Sequence, residues 1–68
     1  MDRKKLLSEI TKFMKIIKDD YQNNLINKHK FELMYDELDS LTENLFSDDF
    51  LILTIKFHTI KTIYIIMV

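Results

Sequence analysis

Sixty-eight residues make at most one domain, and a chain this short needs either a staple or good packing, because it buries only about 60% of its unfolded surface. It has no cysteine, glycine or proline, which excludes disulfides and thiolate zinc sites. The lack of glycine also excludes the glycine-rich loops that cradle nucleotide phosphates. A net charge of −1 hides a segregation: residues 1–18 hold six Lys/Arg and two Asp/Glu, whereas residues 32–49 hold seven Asp/Glu and no Lys/Arg.

The first predicted element is a helix from about Arg3 to Gln22. Leu7, Ile10, Met14, Ile17 and Tyr21 recur at 3-4-3-4 spacing, which stacks them along one side of a helix. Leu6, Phe13 and Ile16 widen that stripe. Asp2 suits the N-cap, and Asn23 or Asn24 suits the left-handed residue that ends the helix. Lys5, Lys12 and Lys15 share the outer face. The basic start runs into this alternating pattern and not into a continuous apolar block, so no secretory leader is expected. With the lack of cysteine, this gives a cytoplasmic expectation.

A second helix is predicted over about 28–46, capped by Asn27, with Ile26 and Phe31 at the positions of a hydrophobic staple. Phe31, Met34, Leu38, Leu41 and Leu45 repeat the 3-4-3-4 rule. The short connection makes the pair an antiparallel hairpin, which needs a further layer to cover it.

That layer is the tail, about 48–67. A membrane span is disfavoured because Lys56 and Lys61 sit inside the apolar run, each costing about 2.5–3.5 kcal/mol near a bilayer centre. Ten of its last nineteen residues are β-branched, which favours strand. A single strand of that length would reach about 60 Å, so it would have to fold back near His58 and Thr59. Against this, Phe50, Leu53, Phe57, Ile60, Tyr64 and Met67 keep the helical spacing, and Thr54, His58, Lys61 and Thr62 gather on a polar side. Ser47 is the expected N-cap, with Asp48 and Asp49 in the first turn. Lys56 falls inside the apolar arc. The favoured architecture is all-α, one domain over residues 1–68, a helical hairpin plus a third helix. The alternative is α+β, the hairpin packed on a two-stranded ribbon.

Chemistry is sparse. His29 and His58 are the only histidines and have no partner at ligand spacing, so no metal or other cofactor is expected. Ser8, Ser40 and Ser47 lack the turn and the nearby histidine of a nucleophile. No enzymatic constellation emerges. The informative feature is Glu32, Asp36, Asp39 and Glu43, a stripe facing away from the second helix's seam. Glu37, Asp48 and Asp49 extend it. These seven carboxylates predict a docking face for a protein with a basic surface. A homodimer burying leftover apolar surface is a further expectation. Nucleic acid is disfavoured, since only the first helix offers a basic face and the chain as a whole is not basic.

The stretch "MYDELDSLTENLF", with Glu37, Leu38, Asp39 and Leu41 on a second helix, resembles the small sporulation-type phosphatases that act on phosphorylated response regulators. That family carries a serine four residues before the aspartate, where this chain has Tyr35. The resemblance implies a phosphatase activity dependent on Asp39. "NNLINKHKFELMYDEL" resembles the helical starts of small bacteriocin-immunity proteins, which implies neutralisation of a toxin by acidic docking.

Overall fold

The computed structural model describes residues 2–67. Met1, Val68 and the side chain of Met67, the last position of the third seam, lie outside the described residues. Three helices follow one another: α1 (Arg3–Gln22), α2 (Lys28–Glu43) and α3 (Phe50–Met67). Among the described residues there is no strand, so the ribbon alternative is set aside. The intrinsic strand preference of the β-branched tail yields to burial: a helix brings Leu53, Phe57, Ile60 and Tyr64 onto one side, where all four are buried.

The ends of the helices follow from side chains that satisfy orphaned backbone groups. The Asp2 carboxylate accepts from the Lys5 N–H at 2.7 Å, and the Asn27 side chain accepts from the Lys30 N–H at 2.8 Å. At the end of α1, Asn24 adopts a φ of 62°. The Leu25 N–H then donates to the Asp20 carbonyl at 2.9 Å and the Asn24 N–H to the Tyr21 carbonyl at 3.1 Å. This is a Schellman closure with asparagine in the place glycine usually takes. Ile26 and Phe31, the predicted staple, both pack on the core.

α2 ends at Glu43 rather than near residue 46: past Asn44 the Leu45 N–H donates three residues back, to the Thr42 carbonyl at 3.3 Å, and the Asn44 side-chain amide donates to the Ser40 carbonyl at 2.9 Å. The cap of α3 is Asp49, not Ser47. The Asp49 carboxylate accepts from the Leu51 N–H at 2.9 Å and the Ile52 N–H at 3.3 Å. Ser47 Oγ instead donates back to the Asn44 carbonyl. Phe50, the first residue of α3, packs partly buried against the core.

One cluster holds the helices together. Leu6, Ile10 and Ile17 come from α1, Met34, Leu38 and Leu41 from α2, and Leu53, Phe57, Ile60 and Tyr64 from α3, with Ile26 and Leu45 from the connections. Leu7, Phe13, Met14, Tyr21, Phe31 and Phe50 pack partly buried around it. Ile16 does not widen the α1 stripe as expected and stands half exposed. Phe13 joins α1 to α3 through edge-to-face contacts with Phe57 at 6.1 Å and Tyr64 at 5.5 Å. Tyr21 stacks on Phe31 at 4.5 Å, joining α1 to α2. No described helix is long and apolar enough to cross a membrane.

Candidate functional site

The seven predicted carboxylates separate into three groups. Glu32, Asp36, Asp39 and Glu43 are all exposed, and their 4-3-4 spacing places them on one side of α2, opposite Met34, Leu38 and Leu41. Glu37 and Asp48 belong elsewhere: both line a groove of about 490 Å³ between α2 and α3. Asp48 is only half exposed. Asp49 is occupied with capping α3.

Among the described residues the ion pairs within 4.0 Å are Lys15–Asp19 at 3.2 Å and Lys28–Glu32 at 3.9 Å. Asp36, Asp39 and Glu43 therefore face solvent with no cation among the described residues within 4.0 Å. Like charges one turn apart, Glu32 with Asp36 and Asp39 with Glu43, cost a helix roughly 0.2–0.5 kcal/mol per pair. The stripe is thus maintained against a small local penalty.

The groove between α2 and α3 has Leu33, Met34, Leu41, Ile55, Ile60 and Ile63 on its walls, with Lys56 on the α3 side. Lys56 is exposed, so the charge that seemed to interrupt the apolar arc lies outside the buried seam. Lys5, Lys12 and Lys15 are likewise exposed along α1. His29 and His58 are exposed, and among the described residues no three His, Asp or Glu side chains converge as metal ligands would.

Polar groups joining the helices mark both ends of the bundle. At one end the Arg3 guanidinium donates to the carbonyls of Leu45 and of Asp48, the latter at 3.0 Å. It also lies over the Phe50 ring at 5.8 Å. Arg3 thereby fastens the start of α1 to the α2–α3 connection, and places positive charge where the α2 dipole is negative. At the other end the Tyr64 hydroxyl donates to the Asp20 carboxylate. Lys30, itself buried, holds its ammonium 5.3 Å from the centre of the Tyr64 ring. Asp20, Lys30 and Tyr64 are one residue from each helix.

This trio is a clamp and not an acid–base device. Burial first, then the hydrogen bond to Asp20 and the charge of that carboxylate, push the Tyr64 phenol well above its ordinary value of about 10. A general acid or base needs a pKa near the working pH, and Tyr64 is moved away from it. The linkage sign is fixed by that direction. The unfolded phenol loses its proton near pH 10 and the folded one only at higher pH. The stabilisation is therefore complete below about pH 10 and fades as the pH rises further. Tyr64→Phe is expected to cost about 1.5–3 kcal/mol at neutral pH, as a hydrogen bond to a charged group does. Urea unfolding at pH 8 to 11.5 checks this: the wild type should lose stability above pH 10 more steeply than the variant, and parallel curves would refute the clamp.

Sequence reasoning missed Arg3, Asp20, Lys30 and Tyr64 as a set. Arg3 and Tyr64 reach partners more than forty positions away, and helical periodicity carries no signal at that range. The chain matches no protein-family model, no curated protein and no solved structure.

Proposed function

We propose that this protein is a small non-enzymatic interaction module that binds a basic surface of another protein and blocks or regulates it, as immunity proteins, antitoxins and phage-borne inhibitors do. The observation that carries this reading is the exposure of Asp36, Asp39 and Glu43 along one side of α2 with no cation among the described residues within 4.0 Å. Carboxylates exposed on one side of a helix are presented at fixed spacing to lysines or arginines of a partner. They also speed encounter and set register with a partner of opposite charge.

The test separates binding from folding. The triple variant Asp36→Asn, Asp39→Asn, Glu43→Gln should melt at the same temperature as the wild type or slightly above it, since like-charge repulsion is relieved. Used as bait against host extract at low salt, it should lose the proteins that the wild type retains, and 0.5 M salt should elute those proteins from the wild type. Equal retention by the two baits would overturn the reading. Loss of retention on changing Lys5, Lys12 and Lys15 to glutamine instead would move the interface to α1. The single variant Asp39→Asn addresses the phosphatase resemblance: slowed dephosphorylation of a response regulator, with binding intact, would replace docking by catalysis.

A further inference from the structure

α3 carries a second apolar stripe that the bundle covers only in part, with Ile55 and Ile63 at the edge of the α2–α3 groove. Ile52, Ile55, Ile63 and Ile66 are 50%, 56%, 42% and 76% exposed, and Thr59 between them is exposed as well. Their spacing is 3-4-4-3, so the stripe reads the same in both directions about Thr59. On a helix these five positions fall within one narrow arc, away from the side that buries Leu53, Phe57, Ile60 and Tyr64. β-branched isoleucine is a mediocre helix former, and four of them stand on a face that the single chain only partly covers.

The geometry points to a second copy of this chain as the occupant of that stripe, with the two α3 helices packed antiparallel about a two-fold axis at Thr59. A two-fold interface must be self-complementary, and the palindromic spacing supplies this. Ile52 meets Ile66 of the other copy, Ile55 meets Ile63, and Thr59 meets Thr59. A small residue on the axis lets the backbones approach closely. The Thr59 hydroxyl already donates to the Ile55 carbonyl at 2.9 Å, so burying it leaves no donor unsatisfied.

Charge argues for the same face. In a two-fold contact of one face with itself, the carboxylates of α2 would meet like charge, and so would the lysines of α1. The five stripe positions are uncharged. Lys56, at the flank, shares the groove with Glu37 and Asp48, which offset the approach of one lysine to the other. This interface leaves Glu32, Asp36, Asp39 and Glu43 outward, so it is independent of the acidic docking proposed above.

The chain has no cysteine, so single substitutions report the geometry directly. Thr59→Cys should oxidise to a disulfide dimer at least about tenfold faster than Ile52→Cys or Ile66→Cys, because only a residue on the axis is held against itself at high effective concentration. The two copies of residue 52 would stand about 21 Å apart along the helices. A mixture of the Ile52→Cys and Ile66→Cys chains should cross-link to each other. Ile55→Glu, at a position the fold leaves exposed, should turn the dimer into a monomer in sedimentation equilibrium while keeping the helical circular dichroism. A wild type that stays monomeric at every concentration overturns the inference. So does self-linking of Ile52→Cys as fast as Thr59→Cys, or an Ile55→Glu chain that remains dimeric. A monomer that sediments with anionic phospholipid vesicles would give the stripe to a membrane surface instead.

Discussion

Leu38→Ala is expected to lower the melting temperature by about 12–24 °C, if the loss is near 3 kcal/mol and each kcal/mol is worth 4–8 °C in a domain of this size. Leu38 is fully buried at the middle of α2, the helix that packs against both α1 and α3. Truncating it removes a methine and two methyl groups and leaves a void inside the core cluster. The surroundings cannot collapse into it without shifting two interfaces at once, so the cost falls within the roughly 2–5 kcal/mol range for buried leucines. A chain of 68 residues has a total stability of about 3–10 kcal/mol. Part of the population could then be unfolded at room temperature. Thermal unfolding followed at 222 nm measures the effect, with Leu51→Ala as control. Leu51 is 66% exposed, so its truncation should shift the midpoint by only a few degrees. Similar shifts for both would mean that the core is not centred on Leu38.

Ending the chain after Asp49 should abolish cooperative folding. The remaining hairpin keeps its caps and both seams, but Phe13, Met34, Leu38, Leu41 and Leu45 lose the layer that helps to bury them. Helices of this length draw most of their stability from packing rather than from intrinsic preference. Two of them with one face uncovered resemble a collapsed but fluid state. The expected record is a weakened helical signal, a broad melt without a sigmoidal transition, and strong binding of the dye ANS to exposed apolar surface. A sharp, reversible transition in the truncated chain would show that α3 is an accessory and not a part of the core.

Much of the fold was legible because the local rules agree with one another. Asp2 and Asn27 stand at helix starts, Asn24 stands at a helix end, and the 3-4 spacing of apolar residues names Met34, Leu38, Leu41 and Leu45 as buried, as they are. α3 was harder because two signals conflict in it. Its β-branched residues favour strand while its buried positions follow a helix, and only tertiary contact decides between them. The choice between Ser47 and Asp49 as cap was equally open locally, since both are good caps two positions apart. In the fold the Asp49 carboxylate takes the Leu51 and Ile52 N–H groups, while the Ser47 hydroxyl turns back to the Asn44 carbonyl. The outward side of Glu32, Asp36, Asp39 and Glu43 could be read directly. Glu37 could not be assigned to the groove, because that requires knowing on which side α3 lies. The contacts of Arg3, Lys30 and Tyr64 were invisible for the same reason: their partners are near in space and remote in the chain.

An odd number of antiparallel rods leaves the first and last turns at opposite poles. Arg3 meets the α2–α3 connection, while Tyr64 meets Asp20 at the far end, and the long dimension of the molecule is 34 Å. Rewiring the order of the helices would therefore need a bridge of about ten extended residues from one pole to the other. Labels attached at the two poles would therefore be held apart by about the long dimension of the bundle, 34 Å.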